Sequence, residues 1–120
     1  MNSALLDFKK AISRLKEVLD LEKSDVVRDS AIKRFEMCFD LAWKVIKLHV
    51  KKQGLECYSP RQCFKIAFQL KLIDNQENWL RMIDDRNITV HIYKEKYANQ
   101  VYKHLKKHLE LLEKLVEKLS

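Results

Sequence analysis

Only one glycine and one proline occur among the 120 residues. An all-β fold needs turn residues every few positions, so that class is excluded. No run of about 18 apolar residues exists, which excludes a membrane-spanning helix. Residues 1–10 include Asp7, Lys9 and Lys10 where a signal peptide would need a longer apolar stretch. The expectation is a cytoplasmic protein with no membrane attachment. Cysteine is sparse as well. Cys38, Cys57 and Cys63 are odd in number and show no C-x-x-C spacing. They are expected as reduced thiols, with Cys38 in a core and neither a disulfide framework nor a zinc site.

What is abundant is helix-forming material. Hydrophobic residues make up 47 % and charged residues 34 %, enough apolar surface for one core and too much for disorder. The length fits a single domain over residues 1–120. The net charge is +7. A basic balance makes polyanion binding plausible through counterion release, but solvated helix faces explain it equally well.

Helical periodicity runs through most of the chain. Leu5, Phe8, Ile12, Leu15 and Leu19 form a narrow apolar seam, and Ser24 or Asp25 can cap the next helix. Ala31, Ile32, Phe35, Cys38, Phe39, Ala42, Trp43, Ile46 and Val50 make a broad stripe, which predicts a central helix ending at Gly54. Ser59-Pro60-Arg61-Gln62 restarts a helix with Phe64, Ala67 and Phe68 inward. Asp74 to Glu77 reads as a further capping box before Trp79, Leu80, Met82 and Ile83. Ile88–Tyr93 is rich in β-branched residues, but a lone strand would have no partner, so this stretch is expected to be helical or irregular. From about Lys94, Val101, Leu105, His108, Leu112, Leu115 and Leu119 continue one bundle seam. The sum is an all-α, antiparallel up-and-down bundle of four to five helices.

Histidines offer little metal chemistry on this reading. His104 and His108 have i, i+4 spacing, but Leu105-Lys106-Lys107 supplies no carboxylate and two cations between them. The simpler expectation is that His108 sits on the seam with His104 beside it, and that no metal or cofactor is bound. His49 fits a partly buried structural role.

The chemically dense stretch is Asp84-Asp85-Arg86-Asn87-Ile88-Thr89-Val90-His91-Ile92-Tyr93. Arg is the best phosphate fork, and His exchanges protons readily near neutral pH. Together they can cleave RNA without a metal, with His moving a proton and Arg holding the charged phosphoryl group. On an ideal helix Arg86 and His91 differ by about 140° in azimuth. They converge only if the helix is distorted, if the arginine's length bridges the gap, or if a second subunit contributes. The plainer reading is a surface Asp–Arg network beside a half-buried His.

This stretch resembles the R-x4-H-x-Y signature of HEPN proteins described as nucleotidyltransferase substrate-binding subunits. Ala31-Ile32-Lys33-Arg34-Phe35-Glu36 through Asp40-Leu41-Ala42-Trp43-Lys44 resembles their R-F-E…E/D-L-A-W-K helix. Ser59-Pro60-Arg61 and Asn78-Trp79-Leu80 fall where the family has similar pieces, so the likeness spans about residues 5 to 110. It implies a four- or five-helix bundle, usually homodimeric, whose partner is a small separate nucleotidyltransferase of the MNT type. Many such pairs behave as toxin and antitoxin. In them a metal-independent HEPN RNase is silenced by adenylylation of the motif tyrosine. Carried onto this chain, Arg86 and His91 become the catalytic pair. Asn87 positions phosphate or the motif backbone, Asp40 orients Arg or His, and Tyr93 is the modified residue. The alternative is a non-catalytic subunit that binds substrate or nucleotide for the transferase. A generic RNA-binding adaptor is a third reading, without the aromatic platform it would need.

Overall fold

A computed structural model describes residues 3–120. Six α-helices follow one another: α1 (Ser3–Leu19), α2 (Asp25–Lys52), α3 (Pro60–Gln69), α4 (Gln76–Ile88), α5 (Glu95–Tyr102) and α6 (Leu105–Leu119). A single 3-10 turn, Thr89–His91, separates α4 from α5. The fold is the expected all-α bundle, with more helices than the expected four to five. The segment after Lys94 is not one helix: it breaks at Lys103 and His104, although neither Gly nor Pro stands there.

Local chemistry sets most boundaries. Ser24 caps α2, its side chain accepting from the Val27 amide at 3.1 Å. At the other end Gly54 takes φ +79. Its amide donates to the Lys51 carbonyl and the Leu55 amide to the Val50 carbonyl, the two bonds of a Schellman ending. Ser59 caps α3 by accepting from the Gln62 amide, with Pro60 at the first helical position. Gln62 Oε1 then accepts from the Tyr58 amide at 2.8 Å. The cap of α4 is Asn75, one residue after the expected Asp74, with its side chain accepting from the Asn78 amide.

The cysteine expectation is corrected here. Cys57 and Cys63 are joined by a disulfide, with Cα atoms 5.1 Å apart. The Gly54 ending turns the chain and the Ser59 cap turns it back. Cys57, two residues before the cap, is thereby brought against Cys63 on the first turn of α3. Cys38 remains a free, buried thiol. Burial pushes its pKa up to about 12.

The core is built around α2. Phe35, Phe39, Phe64 and Trp79 form a run of ring contacts from α2 through α3 to α4. Each such fully buried apolar side chain contributes about 1.5–3 kcal/mol relative to exposure. Trp43, expected in the same stripe, is only half-buried, and Lys47 lies over its ring. Phe68, expected inward, is 42 % exposed. Arg28 is buried and ties α2 to α5 through Glu95 and Asn99. No helix among the described residues is long and apolar enough to cross a membrane.

Candidate functional site

Arg86 lies in the last turn of α4 and turns towards α2. Its Nε and Nη2 donate to the two carboxylate oxygens of Asp40, each at 3.4 Å. Nη1 donates to Thr89 Oγ1 at 3.1 Å and lies 3.8 Å from Glu36 Oε2. Thr89 in turn donates its hydroxyl to the Arg86 carbonyl at 2.7 Å. The guanidinium is therefore fixed by a fork on one helix and by a hydroxyl on its own turn. This arrangement aims a cation while leaving it part-exposed, as a phosphate receptor requires.

A shallow groove of about 590 Å³ begins at Arg86. Lys10, Arg14 and Lys33 line it with Asp7, Glu36 and Asp40, so both signs of charge face the opening.

The helix is distorted between Arg86 and His91. After Ile88 the backbone tightens into the 3-10 turn, with Ile92 and Lys94 amides bonding back to Thr89 and His91. Asn87, His91 and Tyr93 are all exposed. The His91 ring meets Tyr93 edge-on at 6.2 Å and Tyr97 at 6.2 Å. Tyr93 is 78 % exposed. No hydrogen bond or ring contact joins Arg86 to His91 among the described residues. Arg86 and Asp40 are brought together as anticipated; His91 and Tyr93 form a second, outward-facing group.

The plainer surface-network reading is corrected in two respects. Arg86 pairs with Asp40 and Glu36 of α2, not with the neighbouring Asp84 and Asp85. His91 is exposed, whereas the buried histidine is His108, stacked on Phe35 at 5.3 Å. Sequence reasoning missed Asp85, which points into the bundle and receives both His104 and His108 on one oxygen. The i, i+4 histidine pair was the available signal; the carboxylate it lacked comes from another helix.

An all-helical bundle carrying Arg-x4-His-x-Tyr where its fourth helix ends has the features of the HEPN class. The chain belongs to the family described as nucleotidyltransferase substrate binding protein like, whose profile matches residues 3–120. A protein of Thermus thermophilus, known from its crystal structure, is similar with 36 % identity and a TM-score of 0.88 over 93 % of this chain and 98 % of that one. A tri-AMPylated HEPN toxin of Shewanella oneidensis, solved in complex with MNT antitoxin, shares 25 % identity and a TM-score of 0.79 over 99 % of this chain and 98 % of that one. "Probable ribonuclease HepT" of Haemophilus influenzae is 28 % identical over 83 residues, 65 % of this chain. The matched stretch spans 57 % of that relative's length.

Proposed function

We propose that this chain is a HEPN-type toxin, a metal-independent endoribonuclease silenced when a partner MNT-type nucleotidyltransferase adenylylates Tyr93. The observation that carries the reading is the divided motif. Arg86 is fixed by Asp40 and Thr89, and the 3-10 turn sends His91 and Tyr93 outward.

In this scheme Arg86 binds the scissile phosphate and offsets the charge that builds on it. His91 takes the proton from a ribose 2′-OH or returns one to the leaving oxygen. Asn87 helps to position the phosphate, and Asp40 orients the guanidinium. Since Arg86 and His91 do not meet within one protomer, the reading includes a homodimer in which the two motifs face a shared cleft. Adenylylated Tyr93 adds a bulky anion beside His91 and competes for Arg86.

RNA cleavage in chelator-treated buffer tests this. Wild type should cleave, His91→Ala should lose about 10²-fold or more, and Arg86→Lys should lose turnover more than stability. Tyr93→Phe should cleave yet resist silencing by the transferase and ATP. Equal rates for His91→Ala and wild type exclude the catalytic assignment. A strictly monomeric mass in light scattering excludes the shared cleft. Partner binding with no cleavage by any form favours the substrate-binding alternative.

A further inference from the structure

The interior face of α4 carries a second cluster of titratable groups, away from the motif. We propose that Asp85, His104 and His108 form a binding site for one divalent transition-metal ion, zinc by chemical preference. The site is separate from the Arg86–His91 motif and does not rest on the ribonuclease reading.

Asp85 Oδ2 lies 2.9 Å from His104 Nδ1 and 2.6 Å from His108 Nε2. One ligand atom from each residue falls within 4.8 Å of the others. The histidines sit one helical turn apart at the start of α6, and the carboxylate arrives from α4. Asp85 and His108 are buried, and His104 is half-exposed. Two imidazoles and one carboxylate are the donor set of an open zinc site, which keeps its fourth position for water. That position has room. A cavity of about 290 Å³ adjoins the three residues and is lined also by Arg81, Gln100 and Lys107. Asp84 also lines it and offsets one of the two cations there.

Geometry asks for a small adjustment. Ligand atoms about 2.0–2.1 Å from a tetrahedral zinc lie about 3.3 Å apart, so the two Asp85–histidine distances of 2.9 and 2.6 Å must widen by about 0.4 and about 0.7 Å. His104 stands at the α5–α6 break and is free to supply that movement. In the metal-free cluster both rings aim an N–H at the shared carboxylate. A cation replaces those two protons between the rings and Asp85, and each proton passes to the ring's other nitrogen. For His104 that nitrogen is on the solvent side. For His108 it is Nδ1, which is buried and has no partner in either state, so the number of orphaned polar atoms does not rise.

The test uses the full chain, freed of any tag histidines and stripped by chelator. It is dialysed against zinc alone and analysed for bound metal, with cobalt as a spectroscopic probe. One zinc per chain is expected, with ligand-field bands from cobalt. His104→Ala should weaken binding by at least about tenfold, in line with the sensitivity of metal sites to their supporting residues. Asp85→Asn should do the same, and His49→Ala should leave it unchanged. Should Asp85→Asn fail to fold, His104→Ala decides, because its side chain is already 42 % exposed. Absence of saturable binding would mean a hydrogen-bonded cluster that takes no metal and would overturn the proposal. Undiminished binding by His104→Ala would overturn it equally.

Discussion

Removing the Asp85 carboxylate should be the most damaging single polar change in the interior. Asp85→Ala deletes an acceptor that serves two ring nitrogens, and the two losses are unequal. His104 has a 42 % exposed side chain, so water replaces its partner at little penalty. His108 has a 5 % exposed side chain and already carries one unpartnered nitrogen. Its second nitrogen would be orphaned too. A hydrogen bond to a charged group is worth about 1.5–3 kcal/mol, and an orphaned buried donor is penalised by about 1–3 kcal/mol. These overlap, so the expected loss is about 2–4 kcal/mol, a large part of the ~5–15 kcal/mol of a domain this size. Urea unfolding followed by tryptophan fluorescence, with chelator present, measures it. Asp85→Ala made in a His108→Leu background should cost at least ~1 kcal/mol less, because no donor remains to be orphaned. A loss below about 0.5 kcal/mol, or strict additivity of the two changes, would refute the reasoning.

Three further expectations follow from burial and connectivity. Trp79→Ala, at a fully buried ring against Phe64, should cost about 3–5 kcal/mol, while Trp43→Ala at its half-buried site should cost clearly less in the same denaturation assay. The Cys38 thiol, pushed from 9.0 to about 12 by burial, should resist alkylation until the chain unfolds. In the unfolded chain it ionises first, so this group lowers stability only as pH rises from 9.0 towards about 12, by up to ~1.4 kcal/mol per pH unit. Reducing Cys57–Cys63 should lower stability by about 2 kcal/mol from the entropy of its short loop, read as a shift in the urea midpoint with and without reductant.

Much of the fold was legible because its signals are local. The Ser24 and Ser59 caps, the Gly54 ending and the apolar seam of α6 depend on residues within a turn or two of each other. Asn75 displaced Asp74 because either side chain can cap and only the path of the α3–α4 link chooses between them. What stayed hidden depends on distant partners. Cys57 and Cys63 face each other only after Gly54 and Ser59 have turned the chain. Arg28 is a buried cation because α5 supplies Glu95 and Asn99. In the candidate site, Arg86 with Asp40 was readable as a motif on two helices. The inward turn of Asp85 was not, since His104 and His108 lie 19 and 23 residues further on.

The break between α5 and α6 has a consequence for the segment taken alone. Lys103 and His104 both keep right-handed helical backbone angles, and no residue there disfavours helix. A tertiary contact coincides with the break: His104 meets Asp85 at the point where α6 begins. A peptide covering residues 94–119 therefore has no internal reason to bend, and its own preference is one continuous rod of about 39 Å. The folded domain interrupts that rod at Lys103 and His104, so the Asp85 carboxylate on α4 marks the place where one helix becomes two.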